Sequence, residues 1–97
     1  MNIPFIEDIR KYLATQPITR MWVFGSFSRG EAKNDSDVDF LVQYDRQNSH
    51  VGLFTMLQIK QELQKIIGRE VDLVEEGTLM SFAVESANKD KVLIYER

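Results

Sequence analysis

Residues 25–42 read GSFSRGEAKNDSDVDFLV, and this stretch indicates more about the fold than any other part of the sequence. It begins with a Gly25-Ser26 corner after one apolar run and ends in a second apolar run that carries two acids. Side chains alternate across a strand, so Asp37 and Asp39 are expected to project from the same face. Two carboxylates held side by side repel each other unless a cation or a proton lies between them. Together with the small upstream corner, the pair predicts a divalent metal that carries a nucleotide triphosphate.

The composition is that of an ordinary globular protein and excludes several classes of site. The chain has 97 residues, of which 43% are hydrophobic and 28% charged, and we expect a single domain over residues 1–97. The formal net charge of −3 does not favour general nucleic-acid binding, which normally requires a basic surplus. There are no cysteines, which excludes disulfides and thiolate chemistry. No apolar stretch approaches the ~20 residues of a membrane span, and we expect a cytoplasmic protein.

Hydrophobic periodicity predicts helices alternating with strands. We expect a mixed α/β (α+β) fold, in which a small mixed sheet is flanked by helices. Gly68 is the expected C-terminal stop of the longest helix, whose apolar face holds Leu53, Met56, Ile59, Leu63 and Ile66. The predicted helices cover residues 4–14, 26–33, 51–67 and 78–88, and the predicted strands cover residues 18–24, 37–44, 70–74 and 92–95.

The connections between these elements bring three acids together. About a dozen residues join the first two predicted strands, which suits an antiparallel pair and sets Gly25-Ser26 beside Asp37 and Asp39. The helix over residues 51–67 then returns the chain for a third strand that is parallel to the second. Asp72 lies on this third strand among apolar neighbours, where a carboxylate needs a partner or a metal. Three acids at one end of a sheet predict a two-metal site for phosphoryl chemistry.

These residues carry a resemblance to a known family. Gly25-Ser26, ten further residues, the pair Asp37 and Asp39, and a third acid one helix later resemble the nucleotidyltransferase fold of the DNA polymerase beta superfamily. The sequence of residues 25–32 and the small size of the chain are most similar to those of the minimal nucleotidyltransferase (MNT) antitoxins, which are encoded beside HEPN-domain toxins. The resemblance covers roughly residues 4–95.

The resemblance implies an activity and a set of site residues. Members of the family transfer AMP from ATP to a tyrosine of the HEPN RNase and silence it. By resemblance, Asp37, Asp39 and Asp72 are the catalytic, metal-binding carboxylates for Mg²⁺, expected as two ions. Gly25 and Ser26 match the triphosphate-binding corner, and Arg29 or Lys33 is expected to neutralise the departing pyrophosphate.

Other functions remain open at the level of sequence. The chain could mask its toxin by contact without catalysis, or transfer a nucleotide to a small molecule such as an aminoglycoside. The short chain leaves little room for an acceptor-binding domain, which favours a protein acceptor and a hetero-oligomer. We expect the partner to contact the loop at residues 45–50 and the segment at residues 77–88, where Met80, Phe82 and Val84 are apolar.

Overall fold

The fold is a four-stranded mixed sheet with two helices, seen in a computed structural model that describes residues 5–25, 30, 37–77 and 91–97. The elements follow the predicted order, and their ends lie within one or two residues of the predicted ends. They are α1 (Ile6–Leu13), β1 (Ile18–Phe24), β2 (Val38–Tyr44), α2 (Leu53–Ile67), β3 (Val71–Glu75) and β4 (Val92–Glu96).

The sheet has the strand order β3-β2-β1-β4. β1 pairs with β2 in an antiparallel arrangement, and β2 pairs with β3 in a parallel arrangement after the chain has passed through α2. Both pairings are as predicted from the lengths of the connections. β4 pairs with β1 in an antiparallel arrangement and forms the second edge of the sheet.

Both helices contribute to one hydrophobic core on one face of the sheet. Ile59 and Leu63 of α2, and Ile9 and Leu13 of α1, have no solvent exposure and belong to the same cluster as Phe40 of β2. The α1 helix is also tied to the sheet edge, because the Arg10 Nε donates a hydrogen bond to the carbonyl oxygen of Ile94 at 2.8 Å. Residues on alternate positions of β2 complete this core: Val38, Phe40, Val42 and Tyr44.

Glycine ends α2 where the sequence predicted its stop. Gly68 has a φ of 75°, which is the left-handed conformation common after a helix, and its N–H donates to the Gln64 carbonyl at 2.8 Å. The start of α2 differs from expectation. Leu53 was placed on the packed face but is 73% exposed, and Phe54 beside it is 91% exposed. The packed part of the helix therefore begins about one turn after the helix itself.

Among the described residues, no helix combines the length and the apolar character needed to cross a membrane. The predicted short helices over residues 26–33 and 78–88 lie outside the described residues.

Two leucines of α2 offer a matched test of this core. Leu63→Ala removes a fully buried side chain and should lower the free energy of unfolding by about 2–5 kcal/mol. Leu53→Ala makes the same chemical change at an exposed position and should stay within about 0.5 kcal/mol of wild type. Urea unfolding followed by circular dichroism measures both values. Equal losses for the two variants would contradict this packing of α2.

Candidate active site

The register of the sheet brings two of the predicted acids together. Asp39 of β2 lies opposite Asp72 of β3 in the parallel pair and opposite Phe24 of β1 in the antiparallel pair. Neighbouring strands lie about 4.8 Å apart, and paired residues share a face of the sheet. Asp39 and Asp72 are therefore cross-strand neighbours that project to the same side.

This side of the sheet is the one turned away from α1 and α2. Phe40, next to Asp39, is fully buried in the helix-packed core, so alternation along the strand directs Asp39 to the opposite face. Trp22 and Leu41 lie opposite each other in the register and are both buried, yet neither belongs to the helix-packed cluster. We call this side of the sheet the acid face.

The Gly25 backbone lies against the Asp39 carboxylate. Gly25 follows β1 directly and has a φ of 74°, a conformation that side chains rarely adopt. A Cβ at this position would collide with the Asp39 Oδ2 and would lie 3.4 Å from its Cγ. Glycine is thus required here both for the backbone turn and for the close approach. The predicted proximity of the Gly25 corner to the acids is confirmed for these two residues.

The surroundings of the acids differ from expectation in one respect. Asp72 was expected to be embedded among buried neighbours, but it is exposed, because β3 is an edge strand and Asp72 projects from the face opposite to the buried Val71. Asp37 precedes β2 and is also exposed, whereas Asp39 is half-buried. Asp37 and Asp72 are therefore accessible from solvent, and Asp39 is partly so.

The expected three-carboxylate metal cage is not preformed. Within the described part of the chain, no group of three or more acidic or histidine side chains has the spacing needed to hold a metal ion. Mg²⁺ in nucleotide sites is commonly held by one or two carboxylates together with substrate phosphates. The neighbouring carboxylates of Asp39 and Asp72 fit that donor set, since their oxygens suit a hard divalent cation.

Several predicted site residues cannot be placed. Ser26, Arg29 and Lys33 lie outside the described residues, and so does the segment at residues 78–90, which contains Met80, Phe82 and Val84. Gly30 is described and has a φ of 71°, with open space around the position of a Cβ.

The loop at residues 45–50, where a partner contact is expected, lies at the opposite end of the strands from the acids. It follows the end of β2, and the Asp45 N–H donates to the Pro17 carbonyl before the start of β1. Asp45 follows Asp39 by six positions, which corresponds to about 20 Å along the strand. The two ends of one strand lie far apart, so this loop does not surround the acids.

The end of the sheet away from the acids has an ion pair of its own. The Arg46 guanidinium donates to both carboxylate oxygens of Glu75, at 2.7 and 2.8 Å, and also to the Val51 carbonyl at 3.0 Å. The hydrogen bonds from Arg46 hold the pKa of Glu75 below its usual range. Burial, and secondarily the negative charge of Glu75, raises the pKa of Tyr44 to about 12. Tyr44 is thus a buried, neutral phenol at the end of β2 away from the acids.

Two cavities are lined by residues other than the acids. One, of about 660 Å³, lies at the end of the strands away from the acids, and its lining includes Thr19, Gln43 and Asp45. The other, of about 210 Å³, lies between Leu53, Met56 and Leu73. Neither lining contains Asp37, Asp39 or Asp72.

The structure also places on the acid face a cation that the sequence analysis did not single out. The Lys91 Nζ lies 4.6 Å from the centre of the Trp22 ring on the acid face. Lys91 directly precedes β4, but its place depends on which strand β4 pairs with. Periodicity alone could not decide that pairing.

Comparison with known proteins agrees with this geometry. The chain matches the family model described as "Polymerase beta, Nucleotidyltransferase" over residues 7–97. It belongs to this family. The match spans both strands that carry the predicted acids, and a nucleotidyltransferase of the polymerase beta-like fold was the expectation from residues 25–42. That expectation is confirmed.

Similar proteins narrow the family further. The chain is 35% identical over 77 residues to a protein adenylyltransferase, MntA, of Thermococcus cleftensis, which covers 79% of this chain and 75% of the relative. A crystal structure of a toxin-antitoxin with AMP-PNP has a TM-score of 0.78 and 19% identity, covering 96% of this chain and 74% of that one. A complex of tri-AMPylated Shewanella oneidensis HEPN toxin with an MNT antitoxin has a TM-score of 0.63 and 13% identity, covering 96% and 74%. The resemblance to the MNT antitoxins is therefore confirmed, and these structures establish the shared fold.

The contact between Gly25 and Asp39 can be tested with a pair of glycines. Gly25→Ala and Gly30→Ala each introduce a Cβ at a positive φ, which costs about 1–2 kcal/mol. Only Gly25→Ala also pushes a methyl group against the Asp39 carboxylate. We expect Gly25→Ala to have the lower melting temperature and to lose nucleotide binding, while Gly30→Ala retains binding. If Gly25→Ala behaved like Gly30→Ala in both measurements, the close approach of Gly25 to Asp39 would be wrong.

Proposed function

We propose that this nucleotidyltransferase transfers AMP from ATP to a tyrosine hydroxyl of a HEPN toxin, in a Mg²⁺-dependent reaction, and so acts as an antitoxin. The observation that carries the proposal is the pairing of Asp39 with Asp72 beside the Gly25 corner. It is supported by the similarity to a protein adenylyltransferase and by the fold shared with a toxin-antitoxin that was crystallised with AMP-PNP.

In the proposed reaction, the acceptor oxygen attacks the α-phosphorus of ATP. A bond forms between this oxygen and phosphorus, the bond from the α-phosphorus to the β-phosphate oxygen breaks, and pyrophosphate leaves. The acceptor loses its proton to solvent or to a nearby carboxylate. Such reactions depend mainly on positioning and on charge neutralisation, so none of the acids has to be a strong base.

The acids are assigned to the metal and the corner to the phosphates. Asp37, Asp39 and Asp72 would hold Mg²⁺, which supplies charge neutralisation for the triphosphate and polarises the reacting groups. Gly25 and Ser26 would present backbone and hydroxyl donors to the phosphates, and Arg29 would neutralise negative charge on the leaving group. The exposure of Asp37 and Asp72 suits a metal that arrives together with its nucleotide.

The open setting of the acids favours an acceptor that is carried by a protein. Asp37 and Asp72 are exposed to solvent, which leaves them within reach of a side chain that another protein carries. A tyrosine on a partner protein is held in place by the partner itself and needs no deep pocket. The chain's own Tyr44 is a poor acceptor, because it is 8% exposed and lies at the end of β2 opposite to the acids.

Removing a single charge at the acids should stop the reaction. Asp39→Asn and Asp37→Asn keep the shape of the side chain, and each should reduce transfer by at least about 100-fold, the scale of losing one strong electrostatic contact to the transition state. Asp8→Asn, at an exposed position of α1, is the matched control and should transfer normally. Mass spectrometry of the co-expressed HEPN toxin counts added AMP groups on tyrosine. Normal modification by Asp39→Asn would overturn the assignment.

The same experiment separates the competing functions. A toxin that stays unmodified but is inhibited in a stable complex would support a masking module. AMP transfer to aminoglycosides at rates equal to those for the toxin would support a small-molecule enzyme.

Metal and nucleotide should stabilise the protein only together. ATP with Mg²⁺ or Mn²⁺ should raise the melting temperature, because a ligand that binds only the folded state shifts the unfolding equilibrium. EDTA should remove the effect of ATP, since the phosphates and the carboxylates would then repel each other. Differential scanning fluorimetry measures the shift, and an equal shift with and without metal would contradict the proposed metal role.

A further inference from the structure

Lys91 places a positive charge on the acid face of the sheet. Its Nζ lies 4.6 Å from the centre of the Trp22 ring, which is the geometry of a cation–π contact. Lys91 itself is half-buried and directly precedes β4. Because Trp22 projects to the same face as Phe24, two residues further along β1, this contact fixes Lys91 on the acid face.

The register of the sheet aligns Lys91 with the acids. Val92 pairs with Val23, so the next position of the antiparallel ladder sets Lys91 beside Phe24. Phe24 pairs with Asp39, and Asp39 pairs with Asp72. One row across the sheet therefore runs from a lysine on the β4 side, through a phenylalanine, to two neighbouring carboxylates.

The spacing of this row suits a bound polyphosphate. Two strand spacings separate the backbone of Lys91 from that of Asp39, which is about 10 Å. The four-carbon stem of lysine is flexible and can bring the ammonium from the Trp22 ring toward the acids. A magnesium-bound triphosphate held at the carboxylates would extend over Phe24 toward Lys91.

Electrostatics favours such a transfer of the ammonium from ring to phosphate. A cation–π contact is a weak attraction to a ring quadrupole, whereas a hydrogen bond between an ammonium and a phosphate oxygen joins two full opposite charges. Among the described residues, the acid face also presents the carboxylates of Asp39 and Asp72, which repel a highly anionic ligand. A lysine in the same row offsets part of that repulsion.

We infer that Lys91 is a phosphate-binding residue of the nucleotide site, and that Trp22 holds its side chain in position before the nucleotide arrives. In the complex, the Lys91 ammonium donates a hydrogen bond to a phosphate oxygen of ATP, and it stays with the pyrophosphate when that group leaves. This assignment rests on the proposed nucleotidyl transfer from Mg·ATP.

The sole tryptophan of the chain makes the movement of Lys91 measurable. Magnesium tripolyphosphate is the probe, because it has the phosphates of ATP without a base that could stack on Trp22. Wild-type protein should bind the probe with a change in tryptophan fluorescence. Lys91→Met keeps an apolar stem on the ring but removes the charge. It should bind the probe at least about tenfold more weakly, as expected for a lost charge-assisted hydrogen bond, and without the fluorescence change.

Control variants separate a binding role from a structural one. Lys65→Met removes a lysine that is 75% exposed and paired with Glu62 on α2, and it should leave affinity and fluorescence unchanged. Lys91→Arg should recover part of the affinity. Isothermal titration calorimetry gives the dissociation constants independently of fluorescence, and the melting temperature reports on folding.

Each outcome supports or overturns the role of Lys91. A lower melting temperature of Lys91→Met with unchanged affinity for Mg·ATP and Mg·tripolyphosphate would mean that Lys91 only packs on Trp22. In that case the inference fails, while the proposed function stands if Asp39→Asn still abolishes binding. If the wild-type protein bound neither ligand, the proposed function would fail and the role of Lys91 with it.

Discussion

The site depends on the register of β2, the strand that lies between β1 and β3. This register places Asp39 beside the Gly25 corner on one side and beside Asp72 on the other. It is fixed by the core, because a slip of one residue would turn every side chain of β2 to the other face. Phe40 would then leave the core, and Asp39 would be buried beneath the helices at a large cost in free energy. The packing that stabilises the fold thus also positions the acid.

The two neighbouring acids differ in their exposure to solvent. Asp39 and Asp72 are neighbours on adjacent strands, yet Asp72 is exposed and Asp39 only half-buried, so water screens both charges before a ligand binds. A buried cage of three carboxylates would have required a metal or a proton for folding itself. Exposed acids carry no such requirement, and in the proposed function the binding of metal and nucleotide to them would be coupled.

The sequence predicted the strands, their pairing and the position of Gly25 because each depends on local signals. Alternation and apolar runs located β1 and β2, and the lengths of the connections determined which neighbours are parallel. The partner of β4 was not predictable, since a short strand can add to either edge of a sheet, and the position of Lys91 followed from that choice. The exposure of Leu53 was missed because periodicity shows which side of a helix is apolar, but not how far the sheet extends beneath it. The partner contact expected at the loop of residues 45–50 stays a prediction, and the direction of β2 places this loop at the other end of the strands from the acids.

A crystal structure with Mn²⁺ and a non-hydrolysable ATP analogue tests the central claim most directly. Anomalous scattering locates manganese without reference to any assumed chemistry. We expect manganese beside the carboxylates of Asp39 and Asp72, with the phosphates passing the Gly25 corner. The assignment of this site would be contradicted if manganese and nucleotide lay at the other end of the strands and neither contacted the acids.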